Sequence, residues 1–468
     1  MPIKLTFLGA AHCVTGSRYL IEVNGTRILV DCGLHQERSL KGRDWAPFPV
    51  HPDTLNAVLL THAHLDHCGL LPKLVREGFQ CPIYCTAATA EIAEIILLDS
   101  ANLQEEDAEF KKKRHEREGR RGPYPEIPLY TADDARACLP LFSPVHYRET
   151  VTLGEGIQAT FYDAGHTLGS AMLELRIKEK KMERTLLFSG DIGRWGKPLL
   201  QDPTLFEAAD YVVMESTYGD RLLEPVADMP GELASNINRT VEAGGNIVIP
   251  SFAFERAQEV LYYLNQLLLQ DRIPHLMVFL DSPMAVSITE VFQHTPELLD
   301  KKTLRLMRRG MSPFDFPGLQ FVSTTDQSKA INHIAGTVII IAGSGMCTGG
   351  RIKHHLVTNI SRGDSTILFV GYQAVGTLGR QIVDGAKEVR ILGQYHPVKA
   401  RVVQLSGFSG HADQPQLLKW LSHLKRPPRR VFITHGEPEV AEKFAGLVRE
   451  KTGWTTVVPE YADEFTLR

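Results

Sequence analysis

The sequence has no Cys-x-x-Cys pair, no apolar run that approaches a bilayer span, and no surplus of basic charge. Its seven cysteines are scattered and odd in number. That gives no support to a cysteine-ligated zinc cluster and argues against a disulfide framework, so reduced thiols in the cytoplasm are expected. A spanning helix needs about 20 apolar residues in a row, so no membrane partner is expected. Lys and Arg together number 51 against 55 Asp and Glu, a net charge of −4. Nucleic-acid-binding domains are usually basic, so any polyanion site here has to be a local patch helped by bound metal charge. Repeats of 20–50 residues and low-complexity linkers are absent too, which excludes a solenoid. The start, Met1-Pro2-Ile3-Lys4-Leu5-Thr6-Phe7-Leu8-Gly9, reads as a strand and turn rather than a signal peptide.

What is present is an ordinary globular composition, 43% hydrophobic and 23% charged over 468 residues. Single cores stop growing near about 250–300 residues, so two domains or more are expected. One stretch stands out. Thr61-His62-Ala63-His64-Leu65-Asp66-His67 packs three histidines and an aspartate into six positions. It follows the apolar run Ala57-Val58-Leu59-Leu60, which reads as a buried strand. It precedes a helical pattern from Leu70 to Glu77 that Gly78 would stop. Zinc accepts neutral imidazole and carboxylate oxygen, and a catalytic zinc keeps one position open. His62 and His64 alternate on an extended backbone and can point the same way. Asp66 and His67 follow the turn and can aim at a second ion.

Short strands are expected at 3–8, 19–23 and 27–31, with Asn24-Gly25 as a hairpin turn. Asp31 ends the third of them. Residues 88–118 read as a helix that runs into mixed charges from Glu105 to Arg121, a pattern most often found on a solvated face, with phosphate contact as the alternative. Strands near 145–162 lead to Asp163-Ala164-Gly165-His166. Thr185-Leu186-Leu187-Phe188 leads to Ser189-Gly190-Asp191, and strand 211–214 leads to Glu215. Beyond Glu215 helices near 230–243 and 254–270 alternate with buried strands at 246–249, 276–280, 337–342 and 366–370. Such alternation predicts βαβ units on a parallel sheet. Within it, Gly343-Ser344-Gly345 to Gly349-Gly350 follows a strand and opens a helix at Arg351, a setting where backbone N–H groups can meet an anion. Ser344, Arg351, Lys353 and Ser409 are candidate phosphate contacts, a packing-only turn being the alternative. The turn Gly371-Tyr372-Gln373, with Gly376, Gly379 and Arg380, has no assigned role. Two further strand ends carry histidine, at Ser409-Gly410-His411 and at Thr434-His435-Gly436.

Asp31, the His62–His67 group, His166, Asp191, Glu215, His411 and His435 occur in an order that resembles the β-CASP branch of the metallo-β-lactamase superfamily, whose members cut nucleic acids. The resemblance covers nearly the whole chain. It implies an α/β fold: an αββα sandwich in residues 1–215, an inserted α/β domain on a mainly parallel sheet in 216–395, and a return to the first domain in 396–468. It implies two Zn2+ ions, with Mn2+ or Fe2+ as in vitro substitutes. One ion takes His62, His64 and His166; the other takes Asp66, His67 and His435; Asp191 lies between them. Asp31 supports the metal loop without being a ligand. Asp66, Glu215 and His411 are the expected catalytic group. The histidine at 435 resembles RNA-cutting members, where DNA-repair members tend to carry valine. The resemblance further implies an insert lying over the metal site and a cleft that admits single strands.

The chemistry of the residue types agrees with this. Two ions about 3.5–4 Å apart can clamp a phosphodiester and generate hydroxide near neutral pH. The leaving oxygen then needs a proton, and His411 held charged by Glu215 can supply it. Single-stranded RNA is the expected partner, with a homodimer left open. The endonuclease reading is preferred because the chain stops soon after His435, where 5′-exonuclease relatives usually continue, and no N-terminal RNA-binding extension of the archaeal kind precedes the first strand. A hydrolase of a β-lactam or thioester and a non-catalytic RNA-processing subunit are the alternatives. An oxygen-reducing di-iron protein is weaker, since those relatives commonly carry a carboxylate where His64 stands.

Overall fold

The hairpin signal at Asn24-Gly25 is realised as two left-handed residues, φ 52° and 80°, joining strands Tyr19–Val23 and Thr26–Val30 with Val23 opposite Thr26. Two adjacent left-handed residues match the twist of the strands they connect. The computed structural model describes residues 2–37, 39–179 and 182–468. Contacts divide them into two units. One runs to Trp195 and adds Asp202–Leu222 and His411–Arg468; the other is Gly196–Gln201 with Leu223–Gly410.

The first unit holds two seven-stranded sheets. In each, an antiparallel half continues into a parallel half. The first sheet runs antiparallel from Glu464–Leu467 through Ile3–Phe7 and Tyr19–Val23 to Thr26–Val30, then parallel through Ala57–Leu59, Ile83–Thr86 and Phe142–Val145. The second runs parallel through Thr456–Val457, Arg430–Thr434, Tyr211–Glu215 and Met182–Phe188, then antiparallel through Ala171–Glu179, Ile157–Asp163 and Thr150–Gly154. Alternation explains the layering. Ile3, Leu5 and Phe7 are buried while Lys4 and Thr6 are only partly so. They join Phe161, Leu173 and Phe188 of the other sheet in one core, where Phe7 and Phe432 lie 5.1 Å apart. Withdrawing each such ring from water is worth roughly 1.5–3 kcal/mol. The outer face of the second sheet is covered by helices Gln414–Ser422 and Pro438–Thr452, whose Leu417, Trp420, Phe444 and Val448 pack on Leu187, Val212 and Val431. Helix Ala87–Glu118 lies on the first sheet. The result is the αββα sandwich expected from the sequence.

The second unit is built on six strands, all parallel, in the order Leu319–Phe321, Met277–Asp281, Val338–Ala342, Ile247–Pro250, Thr366–Val370, Arg401–Leu405. Arg401–Leu405 is the place where the structure departs from the sequence reading. That strand pairs with Thr366–Val370 in this sheet and not in the first unit, which the chain rejoins at His411 rather than near residue 396. The charged stretch after Glu105 lies on helix Ala87–Glu118 and pairs internally: Lys113 Nζ is 2.5 Å from Glu109, and Arg114 Nε is 3.6 Å from Glu118. Among the described residues, no helix is long and apolar enough to cross a membrane.

Candidate metal centre

Most side chains of the proposed centre leave the C-terminal ends of strands in the first unit, while Asp66 and His67 lie on the short helix Leu65–Cys68. Asp31 follows Thr26–Val30, His62 follows Ala57–Leu59, His166 follows Ile157–Asp163, Asp191 follows Met182–Phe188, Glu215 ends Tyr211–Glu215, and His435 follows Arg430–Thr434. Glycine lets these loops cross closely. A Cβ on Gly33 would stand 1.7 Å from the Asp66 carbonyl oxygen, and one on Gly193 would stand 1.8 Å from that of Gly165. Gly193 also bridges to His411, which brings the loops of His166, Asp191 and His411 together.

Two groups of nitrogen and oxygen donors result. His62 Nε2 is 3.0 Å from His64 Nδ1, which is 3.3 Å from His166 Nε2. Both His62 Nε2 and His166 Nε2 are 3.5 Å from Asp191 Oδ2. In the second group His67 Nε2 is 3.1 Å from His435 Nε2 and 3.4 Å from Asp191 Oδ1. Asp66 Oδ2 lies 3.5 Å from His435 Nε2. Ligands about 2.0–2.2 Å from a tetrahedral ion are themselves about 3.3–3.6 Å apart. The donor separations, 3.0–3.5 Å in the first group and 3.1–4.0 Å in the second, overlap that spacing, and Asp191 gives one oxygen to each. Its Oδ1 is buried and accepts no hydrogen bond among the described residues. A buried carboxylate oxygen so placed is costly unless a cation meets it, so the donors fit a pair of divalent ions.

Hydrogen bonds behind the rings fix which nitrogen faces inward. His67 Nδ1 donates to Asp31 Oδ2 at 2.7 Å. His62 Nδ1 is 3.1 Å from Thr61 Oγ1, which donates to Asp31 Oδ1 at 3.0 Å. Asp31 therefore turns two imidazoles so that Nε2 of each points at the centre. Thr217 Oγ1 stands 3.2 Å from His435 Nδ1 and does the same there. Asp31 and His435 both hold left-handed backbones, φ 57° and 50°, a sparsely populated region for residues with a Cβ. Such outer partners typically account for 10–100-fold in metal affinity. Asp31→Ala is accordingly expected to weaken metal binding by about that factor in a metal titration, with the fold retained.

Burial pushes His62 well below its ordinary value and His64 to about 4, which keeps both neutral and ready to ligate. Burial would raise Asp66, yet the His435 hydrogen bond and the nearby imidazoles hold it at about 2. Beside these groups, Glu215 Oε2 accepts from His411 Nδ1 at 3.0 Å, while Glu215 Oε1 accepts from the Ile192 N–H. Burial opposes charge on His411, but Glu215 and Asp191 outweigh it and carry the imidazole up to about 9. Asp163, which ends strand Ile157–Asp163, is raised by burial to about 7 against the hydrogen bond from the Gly165 N–H. A carboxyl raised in this way favours folding below its unfolded value near ~3.9, and that contribution is lost as pH rises through about 7. Asp163→Asn keeps the acceptor without the charge. It should gain stability over the parent as pH rises from 4 to 8, by on the order of 1–3 kcal/mol in denaturant titrations.

All seven nitrogen- and carboxylate-bearing residues read from the sequence thus converge, with Glu215 and His411 beside them. The four phosphate candidates, Ser344, Arg351, Lys353 and Ser409, fall in the second unit. There Arg351 is engaged within the protein: it donates to Asp281 Oδ1 at 2.6 Å and to the carbonyls of Val322 and Ser323 at 3.1 and 2.7 Å. Ser344 Oγ accepts from the Thr348 and Gly349 N–H groups at 3.0 and 3.3 Å, closing its own turn. Sequence reasoning passed over Thr61 and Thr217. Their only signal is position, one residue before His62 and two after Glu215.

Known proteins resemble this chain along most of its length. A Metallo-beta-lactamase superfamily domain matches residues 20–190, a Beta-Casp domain residues 257–382, and a Zn-dependent metallo-hydrolase RNA specificity domain residues 395–459. Ribonuclease TTHA0252 of Thermus thermophilus is 39% identical over 437 residues, covering 93% of this chain and 94% of that protein. The chain belongs to the β-CASP branch of the metallo-β-lactamase superfamily. Transcription termination factor FttA of Methanocaldococcus jannaschii is 33% identical, over all of this chain and 72% of its own length. The FttA of Methanosarcina mazei is 30% identical over 96% of the chain and 69% of its length. A crystal structure of an Enterococcus faecalis protein of unknown function superposes with TM-score 0.55 at 13% identity over both chains in full, a likeness of fold alone. β-CASP membership carries with it divalent-metal binding, for which His62, His64, His166 and Asp191, and Asp66, His67 and His435, form groups of suitable type.

Proposed function

We propose that this β-CASP protein is a zinc-dependent ribonuclease that cuts phosphodiester bonds within single-stranded RNA. The observation that carries the reading is the sharing of Asp191 between two donor groups, with the Glu215–His411 pair set against them. Two divalent ions held there would supply Lewis-acid stabilisation of the phosphate and a nucleophile drawn from water near neutral pH. His62, His64 and His166 would hold one, Asp66, His67 and His435 the other. The rest is proton handling by the chain itself. Glu215 accepts the Nδ1 proton of His411, so the proton passed to the leaving oxygen is the one on Nε2. Asp191 Oδ2, 3.9 Å from His411 Nδ1, adds to the field that keeps the ring charged. A related protein named as a ribonuclease, 39% identical over nearly its whole length, supports RNA as the substrate. The seven free thiols support a reducing, cytoplasmic setting.

The test uses end-labelled single-stranded RNA and DNA of one sequence, incubated with metal-loaded protein with and without chelator. Internal cuts in RNA alone, abolished by chelator, are expected. RNA left whole, or turnover of a chromogenic β-lactam instead, would overturn the reading.

A further inference from the structure

The second unit carries an aromatic ring that the metal chemistry leaves unused. In its sheet the chain leaves Ile247–Pro250 towards Met277–Asp281 on one side, and leaves the adjacent Val338–Ala342 towards Thr366–Val370 on the other. The loops leaving these two neighbouring parallel strands lie side by side beyond their carboxyl ends, the end of an open α/β sheet where ligands bind. The two loops at this point are Ser251-Phe252-Ala253-Phe254 and the glycine-rich stretch 343–350. Phe252 is 44% exposed. Its ring is seated on Gly345, where a Cβ would stand 2.8 Å from Phe252 Cδ2 and 2.9 Å from Cε2. One part of the ring rests on bare backbone and the remainder is open to solvent.

This seat is fixed before any ligand arrives. The Ser251 N–H donates to the Ala342 carbonyl at 3.0 Å, and the Ala257 N–H to that of Phe252 at 3.2 Å. From the third loop, Gln373 Nε2 donates to the Gly345 carbonyl at 3.0 Å, and the Gly379 N–H to that of Met346 at 3.1 Å. The turn Gly371-Tyr372-Gln373 and Gly379 thus acquire a role as the buttress of the seat. Ser251, Ser344, Thr348 and Gly349, in the same two loops, are small and polar or lack a side chain, while Tyr372 and Val375 of the third loop are themselves exposed. A half-open ring held on backbone suits one planar group.

We propose that Phe252 is the platform on which one base of the single-stranded RNA substrate stacks, an inference that rests on the ribonuclease reading. Stacking on an aromatic side chain holds any base by its face, so the platform adds affinity for an unpaired strand without selecting sequence. A base paired within a duplex has both faces already covered and gains nothing from it. The proposal therefore gives the second unit a share in strand selection that needs no basic surplus.

The test compares the parent with Phe252→Ala, Phe252→Leu and Phe252→Trp. Affinity for a short single-stranded RNA is read in the metal-loaded His411→Ala background, and kcat and KM are read separately in the otherwise unaltered protein. Loss of a stacked base is expected to weaken binding and raise KM by about tenfold, and by no more than on the order of a hundredfold, with kcat at saturation retained. Phe252→Leu, which keeps apolar bulk and guards against a folding artefact, should lose nearly as much as Phe252→Ala. Phe252→Trp should bind like the parent, and its added emission should be quenched by RNA. Unchanged affinity in Phe252→Ala, parental affinity in Phe252→Leu, or tryptophan emission indifferent to RNA would each sink the platform. If the parent cuts RNA while the variants match it, only the platform fails; if the parent leaves RNA whole, the ribonuclease reading fails with it.

Discussion

His411→Ala lowers kcat on single-stranded RNA by about 10²–10⁴-fold, the usual worth of a positioned general acid, and leaves KM and metal content close to the parent's. The expectation follows from where the imidazole stands. It is outside both donor groups, so its loss removes no ligand, and it is hydrogen-bonded to Glu215 at 3.0 Å. Rapid-quench rates and metal analysis of the same preparation separate the two effects; a loss of metal in the variant would assign the histidine to the wrong task. The pH profile makes the test sharper. The acid has to be protonated to act. With its value raised to about 9 by Glu215 and Asp191 against burial, activity is supported at neutral pH and falls as pH rises through that region. Glu215→Gln removes the nearest negative charge and should shift the alkaline limb towards lower pH while lowering the plateau. A limb that stays in place in Glu215→Gln would break the link between the two residues.

Asp191→Ala is expected to abolish cutting altogether, by more than the His411 variant, and to bring bound metal below two ions per chain. One side chain faces both groups, with Oδ2 3.5 Å from His62 and His166 and Oδ1 3.4 and 3.6 Å from His67 and His435. Its removal strips an anionic donor from each. Chelation of the parent should reproduce the loss and lower the melting temperature, because ions that bind only the folded state stabilise it by mass action. The apo parent keeps a carboxylate, Oδ1 of which accepts no hydrogen bond among the described residues, so the melting point should drop further in the parent than in the variant on chelation. Equal drops, or full metal content in Asp191→Ala, would count against the shared position.

Much of the centre was readable from the chain because its signals are local. His62, His64, Asp66 and His67 stand within six residues of one another, and a strand ending in a tight turn carries each later donor. Asn24-Gly25 fixed a hairpin by backbone conformation alone. What escaped was set by partners far away in sequence. The apolar pattern of Arg401–Leu405 identifies a strand but not its sheet, since pairing is decided by Thr366–Val370. Arg351 looked like a phosphate contact until Asp281, 70 residues earlier, claimed its guanidinium. Thr61 and Thr217 matter through single hydroxyl bonds, which leave no trace in hydrophobic periodicity. Asp31 was recognisable as a support, but its simultaneous hold on two imidazoles through a threonine emerges only from the packed loops.

The strand Arg430–Thr434 is inserted between Tyr211–Glu215 and Thr456–Val457, and the edge of the other sheet is completed by pairing Ile3 with Leu467. The ribosome must therefore release His435 before the second trio of donors can exist. A polypeptide that ends before His435 keeps Asp66 and His67 but lacks the third member of their group. Synthesis order by itself makes the completion of that group a late event.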